Sequence, residues 1–247
     1  MKILLTNDDG FDSPGLQLLK KSLERKHDIW VIAPDGNRSG SSHSITITGP
    51  TKLKTKGKRE FVCSGTPVDC VVLGLNGIIR ENIDLVISGI NLGPNLGTDI
   101  VYSGTAAAAR QAAFMNKPGM AVSLDTYTPP FNFDYPVSFI SENLELIYSL
   151  WSDDHFLNIN FPNNHSSESK LRVTFPSKRI YRDEIVRFEA PDGAVYCFLG
   201  GETPESNMEE GSDYQIVKMG DISLSPILIH PVNHGIEEKY RQARFQL

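Results

Sequence analysis

Cysteine, long apolar runs and positive charge are all scarce in this chain, and each scarcity excludes a class of protein. Its 247 residues include three cysteines, Cys63, Cys70 and Cys197, which lack the spacing of a disulfide framework or a zinc site. Such thiols are typical of reduced, buried positions in a cytosolic protein. No apolar run approaches the roughly 18 residues of a membrane span, and the first apolar run is too short for a secretion signal. We therefore expect a cytoplasmic protein that has no membrane partner.

The charge balance is acidic, with 24 lysines and arginines against 30 aspartates and glutamates, a formal net charge of −6. This balance argues against binding a nucleic-acid polymer through broad electrostatics, because such binding needs many basic contacts to phosphates. Binding of one small phosphate in a local pocket is still compatible with this charge balance. The length is sufficient for a large core that needs no disulfides.

Strand and helix patterns alternate through the first half of the chain. Apolar runs predict strands at residues 2–6, 28–33, 84–88 and 119–124, and helices are predicted to open at Ser13-Pro14, Thr66-Pro67 and Gly104. Strands that are apolar throughout are expected where helices cover both faces of a sheet. Residues 1–125 therefore predict an α/β fold, a Rossmann-like sandwich of three layers around a mostly parallel sheet.

The second half follows a different pattern. An amphipathic helix is predicted up to about Leu150, a strand at 157–161, a mostly β stretch at 171–228, and a charged helix or tail at 236–247. We expect a single domain over 1–247, with a core of about 1–165 and a β-rich C-terminal extension of about 166–247. The extension contains apolar β segments without a chemical motif, which favours a role in self-association.

Two adjacent carboxylates, Asp8 and Asp9, follow the first predicted strand. Carboxylates that converge on one point repel each other unless a cation lies between them. Oxygen ligands without a neighbouring cysteine or histidine cluster favour Mg²⁺ or Mn²⁺ over Zn²⁺. The segment Asn-Asp-Asp-Gly is also a good turn sequence, so this motif alone leaves both interpretations open.

Three further polar segments are expected at the same edge of the sheet, where the strands end and where such folds bind ligands. The loop at 34–44 offers hydroxyls, Arg38 and His43, and the glycine-rich loop at 88–99 offers Asn91 as a neutral oxygen ligand. The segment at 102–107 runs into a helix whose first amides and dipole favour an anion. Each segment alone is typical of a surface loop or a helix cap. Together they indicate metal-assisted phosphate chemistry.

Five motifs in order resemble the SurE family of stationary-phase survival nucleotidases. They are Asn-Asp-Asp-Gly at 7–10, Ala-Pro-Asp with Asn-Arg-Ser-Gly at 33–40, Gly-Thr-Pro-Val-Asp-Cys at 65–70, Ser-Gly-Ile-Asn with Gly-Pro-Asn-Leu-Gly at 88–97, and Tyr-Ser-Gly-Thr at 102–105. The resemblance implies a metal-dependent phosphomonoesterase, a 5′-nucleotidase that hydrolyses nucleoside 5′-monophosphates and often 3′-monophosphates. It also implies one Mg²⁺ or Mn²⁺ per subunit, and homodimers or homotetramers that exchange their C-terminal parts.

The resemblance also assigns residues to the site. The metal ligands it implies are Asp8, Asp9, Ser39 and Asn91, and the positions that line its phosphate pocket are Asn95, Ser103, Gly104 and Thr105. Asp8 and Asp9 are the expected catalytic residues. One of them orients a water or takes its proton, and direct attack by an aspartate is the alternative.

Two other classes of protein are less compatible with the residues. A signalling receiver module also places two acidic residues after its first strand, but it needs a phosphate-accepting aspartate after a central strand. No aspartate occurs at 51–60, and Ser88 is followed by Gly-Ile-Asn. A dinucleotide-binding oxidoreductase should read G-x-G-x-x-G at its first turn, where this chain has Asn-Asp-Asp-Gly.

Overall fold

A long central sheet organises the molecule, which is a computed structural model that describes residues 1–166, 168–231 and 234–243. Its strands are β1 (Lys2–Thr6), β2 (Asp28–Pro34), β3 (Leu53–Gly57), β4 (Glu60–Cys63), β5 (Leu85–Leu92), β6 (Gly119–Asp125), β7 (His155–Pro162), β8 (Leu171–Val173), β9 (Arg179–Ile180), β10 (Asp183–Glu189), β11 (Val195–Gly201), β12 (Glu205–Ser206) and β13 (Ile222–Leu228). The helices are α1 (Pro14–Leu23), α2 (Pro67–Leu73), α3 (Gly104–Phe114), α4 (Asp134–Ser149), α5 (Asp213–Lys218) and α6 (His234–Arg241). A π-helix spans Gly74–Ile78 and a 3₁₀ helix spans Gly97–Val101.

Nine of the described strands pair in the order β3-β4-β2-β1-β5-β6-β7-β13-β8. The central strands are parallel, since β1 pairs with β2 and β5, and β6 pairs with β5 and β7. The antiparallel pairs are β3 with β4 and β13 with β7. The predicted α/β fold with a mostly parallel sheet is therefore confirmed. Because β1, β2, β5 and β6 point the same way, the loops that follow them meet at one edge.

Helices cover both faces of this sheet, as the apolar strands predict. On one face Ile3 and Leu5 of β1 share a core with Leu16 and Leu19 of α1 and with α4. On the other face Leu4 packs with α2 and α3. This alternation follows from the strand period of two, which sends successive side chains to opposite faces.

Local signals explain where the first helices begin. Thr66 caps α2 by accepting a hydrogen bond from Asp69 N at 3.2 Å, and Asp69 Oδ2 accepts one from Thr66 N at 2.8 Å. This reciprocal arrangement satisfies two amides that a helix start leaves unpaired. α1 begins at Pro14 as predicted, but the Ser13 side chain makes no capping bond. Its hydroxyl instead accepts a bond from Asn7 Nδ2 at 2.6 Å, which ties α1 to the turn after β1.

Three boundaries differ from the prediction. β5 extends to Leu92, so the first part of the predicted glycine loop is strand. The short helix α5 lies within the stretch predicted to be mostly β, where the Ser212 hydroxyl accepts a bond from Gln215 N at 3.3 Å. The predicted C-terminal helix or tail corresponds in part to α6, and residues 244–247 lie outside the described residues.

The segment after residue 165 has two parts. Strands β8 and β13 belong to the central sheet, whereas β10 and β11 form a separate antiparallel hairpin whose residues are almost all exposed. The predicted division near residue 165 stays a prediction. Cys63 and Cys70 are buried free thiols as expected, but Cys197 is exposed because it lies on this hairpin, so the expectation of a buried thiol is wrong there. Among the described helices, none has the length and apolar character of a membrane span.

Candidate active site

Asp8 lies directly after β1 and is held by the start of α3. Its side chain is 4% exposed. Thr105 Oγ1 donates to Asp8 Oδ1 at 2.6 Å, and the backbone N–H of Thr105 donates to Asp8 Oδ2 at 3.2 Å. The positive end of the α3 dipole stabilises the carboxylate. Asp8 is therefore fixed in orientation by Thr105, in the first turn of a helix and 97 residues later in the chain.

Asp9 projects beside Asp8 and contacts the end of β5. The backbone N–H of Leu92 donates to Asp9 Oδ2 at 3.1 Å. Burial raises the pKa of Asp8, and burial together with the charge of Asp8 raises the pKa of Asp9 to about 6. A buried carboxylate whose charge disfavours ionisation of its neighbour forms a site that a cation stabilises.

The bend that brings both carboxylates to one place depends on the turn after them. Gly10 has φ of +107°, a conformation that side-chain-bearing residues rarely adopt. Asn7 closes the turn, because its Nδ2 donates to Gly10 O at 2.9 Å and its Oδ1 accepts from Gly10 N at 3.3 Å. The predicted bend is therefore present, and Asn7 is the side chain that stabilises it.

A cleft of about 250 Å³ opens at this edge of the sheet. Its lining includes five of the predicted site residues, namely Asp8, Ser39, Asn91, Asn95 and Ser103. The loop that carries Ser39 is tied to the first strand, since Arg38 N donates to Asp8 O at 2.7 Å. Asn91 Nδ2 donates to Gly93 O at 2.8 Å, which leaves Asn91 Oδ1 available as an oxygen ligand.

The predicted phosphate-binding residues divide into two groups. Asn95 is anchored through its own N–H, which donates to Asn160 Oδ1 at 2.8 Å, and Ser103 Oγ accepts from Ala106 N at 3.0 Å. The Ser103 hydroxyl proton is therefore left to donate into the cleft. Gly104 and Thr105 instead face Asp8, so the helix amides expected to be free for phosphate already contact a carboxylate.

Sequence reasoning missed residues that line the cleft from the second half of the chain. Tyr127 and Pro204 both contribute to the lining. Tyr127 follows β6 closely, so the rule that ligands lie at the ends of parallel strands could have found it. No local signal marks Pro204. His43 is absent from the cleft lining, and it pairs with Gln111 at 2.9 Å.

The donor set is compatible with a hard divalent cation. Within the described residues, no group of three or more histidine, cysteine, aspartate and glutamate side chains could hold a metal ion. Of the four predicted ligands, the cleft is lined by the Asp8 carboxylate, the Asn91 amide and the Ser39 hydroxyl, all of them oxygen donors, whereas Asp9 is absent from its lining. Mg²⁺ and Mn²⁺ are bound by such oxygens, often through only one or two carboxylates. The burial and mutual repulsion of Asp8 and Asp9 fit a cation at this position.

Comparison with known proteins gives one consistent family. The family model described as "Survival protein SurE" matches residues 3–183. The chain is 39% identical to a protein of Syntrophomonas wolfei named 5′-nucleotidase SurE, covering 98% of this chain and 94% of that one. It is also 39% identical to the 5′-nucleotidase SurE of Kosmotoga olearia, covering 98% of both chains.

A solved structure supports the same conclusion. The crystal structure of the SurE protein from Aquifex aeolicus superposes with a TM-score of 0.85 and 33% sequence identity, covering 98% of this chain and 100% of that one. The family model, the relatives and the fold therefore agree, and the chain belongs to the SurE family.

Proposed function

We propose that this chain is a metal-dependent phosphomonoesterase that hydrolyses nucleoside 5′-monophosphates, and 3′-monophosphates as well. The observation that carries the proposal is the buried carboxylate of Asp8, which lies beside neutral polar groups in one cleft and whose charge raises the pKa of its half-buried neighbour Asp9. Membership in a family whose relatives are named 5′-nucleotidase supports this choice among phosphate reactions.

Asp8, Asp9, Ser39 and Asn91 are the proposed ligands of one Mg²⁺ or Mn²⁺ per subunit. When bound there, the cation supplies a positive charge that polarises the phosphoryl group and lowers the pKa of a water. Asn95 and Ser103 are the proposed phosphate-binding side chains. The phosphate role predicted for Gly104 and Thr105 stays a prediction, since their hydrogen bonds to Asp8 support a positioning role.

The two aspartates differ in what their oxygens are free to do. Both oxygens of Asp8 accept bonds from Thr105, so this carboxylate is restrained as a ligand. Asp9 Oδ2 accepts a bond from Leu92 N, which leaves Asp9 Oδ1 to take the proton of an attacking water. A general base must reach that proton directly, and we therefore assign the role to Asp9 rather than to Asp8.

We also propose that the chain is cytoplasmic and assembles as a homodimer or homotetramer. The hairpin of β10 and β11 exposes large apolar side chains, among them Ile185, Phe188, Phe198 and Leu199. Apolar patches of this kind mark interaction surfaces in soluble proteins. A second copy of the chain is the partner proposed for it.

The experiment is a measurement of phosphate release from AMP, GMP, CMP and 3′-AMP with Mg²⁺, with Mn²⁺ and with EDTA. We expect release from the nucleotides with either metal, loss of activity in EDTA, and recovery when metal is added back. Asp9→Asn should lose activity, and Asp12→Asn is the matched control because Asp12 is an exposed carboxylate in the same segment. Phosphate release that EDTA leaves unchanged, or that is absent with every nucleotide, would contradict the proposal.

A further inference from the structure

Ser39 lies in a tight turn that does not fix its side chain. The residue is exposed, and its hydroxyl makes no hydrogen bond to any described residue. Ser41 N donates to Arg38 O at 3.1 Å, which closes a β-turn with Ser39 second and Gly40 third. Gly40 has φ of +72°, as the third residue of a type II turn requires. The position of Ser39 therefore depends on what fixes the two ends of this turn.

The two ends of the turn are fixed to different parts of the site. Before the turn, Arg38 N donates to Asp8 O at 2.7 Å. After the turn, Ser42 N donates to Tyr102 O at 3.0 Å, and Ser42 Oγ donates to Val101 O at 2.7 Å. The first contact joins backbone atoms alone, so any residue except proline could make it. The second contact depends on the side chain of Ser42.

Ser42 also adopts a backbone conformation that its surroundings must maintain. Its φ is +54°, and among the described non-glycine residues only Asn116 shares a positive φ. This left-handed region is unfavourable for a residue with a Cβ atom, and such conformations persist where neighbouring contacts over-determine them. The N–H and the hydroxyl of Ser42 bind two consecutive carbonyls and so stabilise the conformation together. Without the hydroxyl, one hydrogen bond remains to stabilise a strained backbone.

The two carbonyls belong to the opposite side of the cleft. Val101 ends the 3₁₀ helix, and Tyr102 directly precedes Ser103 at the start of α3. Ser103 is a proposed phosphate-binding side chain. The hydroxyl of Ser42 therefore joins the loop of a proposed metal ligand to the segment that leads into the phosphate site, across 59 residues of sequence.

We infer that Ser42 is a positioning residue that places the Ser39 hydroxyl at the cation site. The inference rests on the proposed function, because it takes Ser39 as a metal ligand. Ser42 is absent from the lining of the cleft, which includes Ser39 and Ser103, so its effect passes through its neighbours. Partners that orient a metal ligand without binding the metal contribute about 10–100-fold to metal affinity or activity.

The test measures Mn²⁺ binding by calorimetry, AMP hydrolysis and thermal melting with the full chain. Ser42→Ala should weaken Mn²⁺ binding about tenfold. The Mn²⁺ concentration that gives half-maximal hydrolysis should rise by the same factor, and saturating Mn²⁺ should restore kcat. The melting temperature should fall by no more than about 4 °C, because the hydrogen bond that is lost is exposed to solvent.

A double variant tests whether Ser42 acts through Ser39. Ser39→Ala removes the proposed ligand, so adding Ser42→Ala to it should weaken Mn²⁺ binding no further. Ser44→Ala is the matched control, because Ser44 is an exposed serine of the same loop whose hydroxyl makes no hydrogen bond to a described residue. This control should bind Mn²⁺ and hydrolyse AMP like the wild-type protein.

The outcomes separate the positioning role from the function. Unchanged Mn²⁺ affinity in Ser42→Ala would overturn the role of Ser42, while phosphate release from AMP by the wild-type protein would still support the proposed function. A further loss of affinity in the double variant, an equal effect of Ser44→Ala, or unfolding of Ser42→Ala at the assay temperature would overturn that role as well. A wild-type protein that neither binds Mn²⁺ nor hydrolyses AMP would overturn both proposals.

Discussion

Gly104→Ala is expected to damage the active site more than the fold. A Cβ at residue 104 would lie 3.0 Å from Asp8 Oδ2 and 3.0 Å from Asp8 Cβ, which is 0.4 Å inside an ordinary contact of 3.4 Å. It would also lie 2.7 Å from Ser41 Oγ. Asp8 must therefore move away from the start of α3, and the hydrogen bonds from Thr105 to its carboxylate must weaken.

Two effects of opposite sign determine how much Gly104→Ala changes the free energy of unfolding. Overpacking costs about 1–3 kcal/mol, whereas replacing a helical glycine with alanine gains up to about 1 kcal/mol. The melting temperature should therefore fall by no more than about 12 °C for a chain of this size. A displacement of a fraction of an ångström at a reacting group costs on the order of 10–100-fold in rate, so kcat/KM for AMP should fall by that factor.

The assay is AMP hydrolysis with Mn²⁺, alongside thermal melting. Gly77→Ala is the matched control, because a Cβ there has no atom within 4 Å. Its activity should stay at the wild-type value, and its melting temperature should stay the same or rise slightly. The double variant Gly104→Ala with Ser41→Ala removes the closer contact and should stay impaired. The reasoning is refuted if Gly104→Ala retains activity within twofold of wild type, or if removing Ser41 Oγ restores it fully.

Three further predictions concern the site, its support and the hairpin. Thr105→Val removes the 2.6 Å hydrogen bond to the buried Asp8 carboxylate and should lower the free energy of unfolding by about 2 kcal/mol in urea, together with the affinity for Mn²⁺ measured by calorimetry. Asp213 is a buried carboxylate that accepts hydrogen bonds from two backbone amides, Gly97 N at 2.7 Å and Ser177 N at 2.8 Å. Asp213→Asn removes the charge, weakens these bonds and should lower the free energy of unfolding by about 2–3 kcal/mol; an unchanged urea midpoint would contradict this. Phe198→Asp should reduce the mass found by light scattering toward that of one 27.4 kDa chain, and a wild-type protein that is already a single chain would refute the proposed assembly.

Much of the fold could be predicted because its signals are local. The apolar run of β1, the capping pair Thr66 and Asp69, and the turn at Gly10 each depend on neighbours within a few residues. α5 was missed because its six residues are too few for a helical period to stand out from the surrounding β pattern. The exposed hairpin is a β element as predicted, but no local sequence signal indicates that it lies outside the central sheet.

The site depends more on contacts between distant parts of the chain. The convergence of the loops after β1, β2 and β5 follows from the parallel sheet, and it brings Asp8, Ser39 and Asn91 to one cleft. The Ser-Gly-Thr sequence predicts an anion site at the start of α3 but does not indicate which anion binds there. The contact between this helix and the Asp8 carboxylate could therefore not be predicted from the sequence. Tyr127 follows the end of β6, where the rule for parallel strands could have indicated it, whereas Pro204 joins the cleft through packing alone and only the structure identifies it.

The most direct test of the cation site is Mn²⁺ binding and AMP hydrolysis by wild type, Asp8→Asn and Asp12→Asn. The Asn variant keeps the shape of the Asp8 side chain and removes its charge, so the cleft loses one anionic ligand. We expect wild type and Asp12→Asn to bind Mn²⁺ and hydrolyse AMP alike. Asp8→Asn should lose Mn²⁺ affinity and at least about 100-fold in kcat/KM. Full activity and unchanged Mn²⁺ affinity in Asp8→Asn would contradict the account.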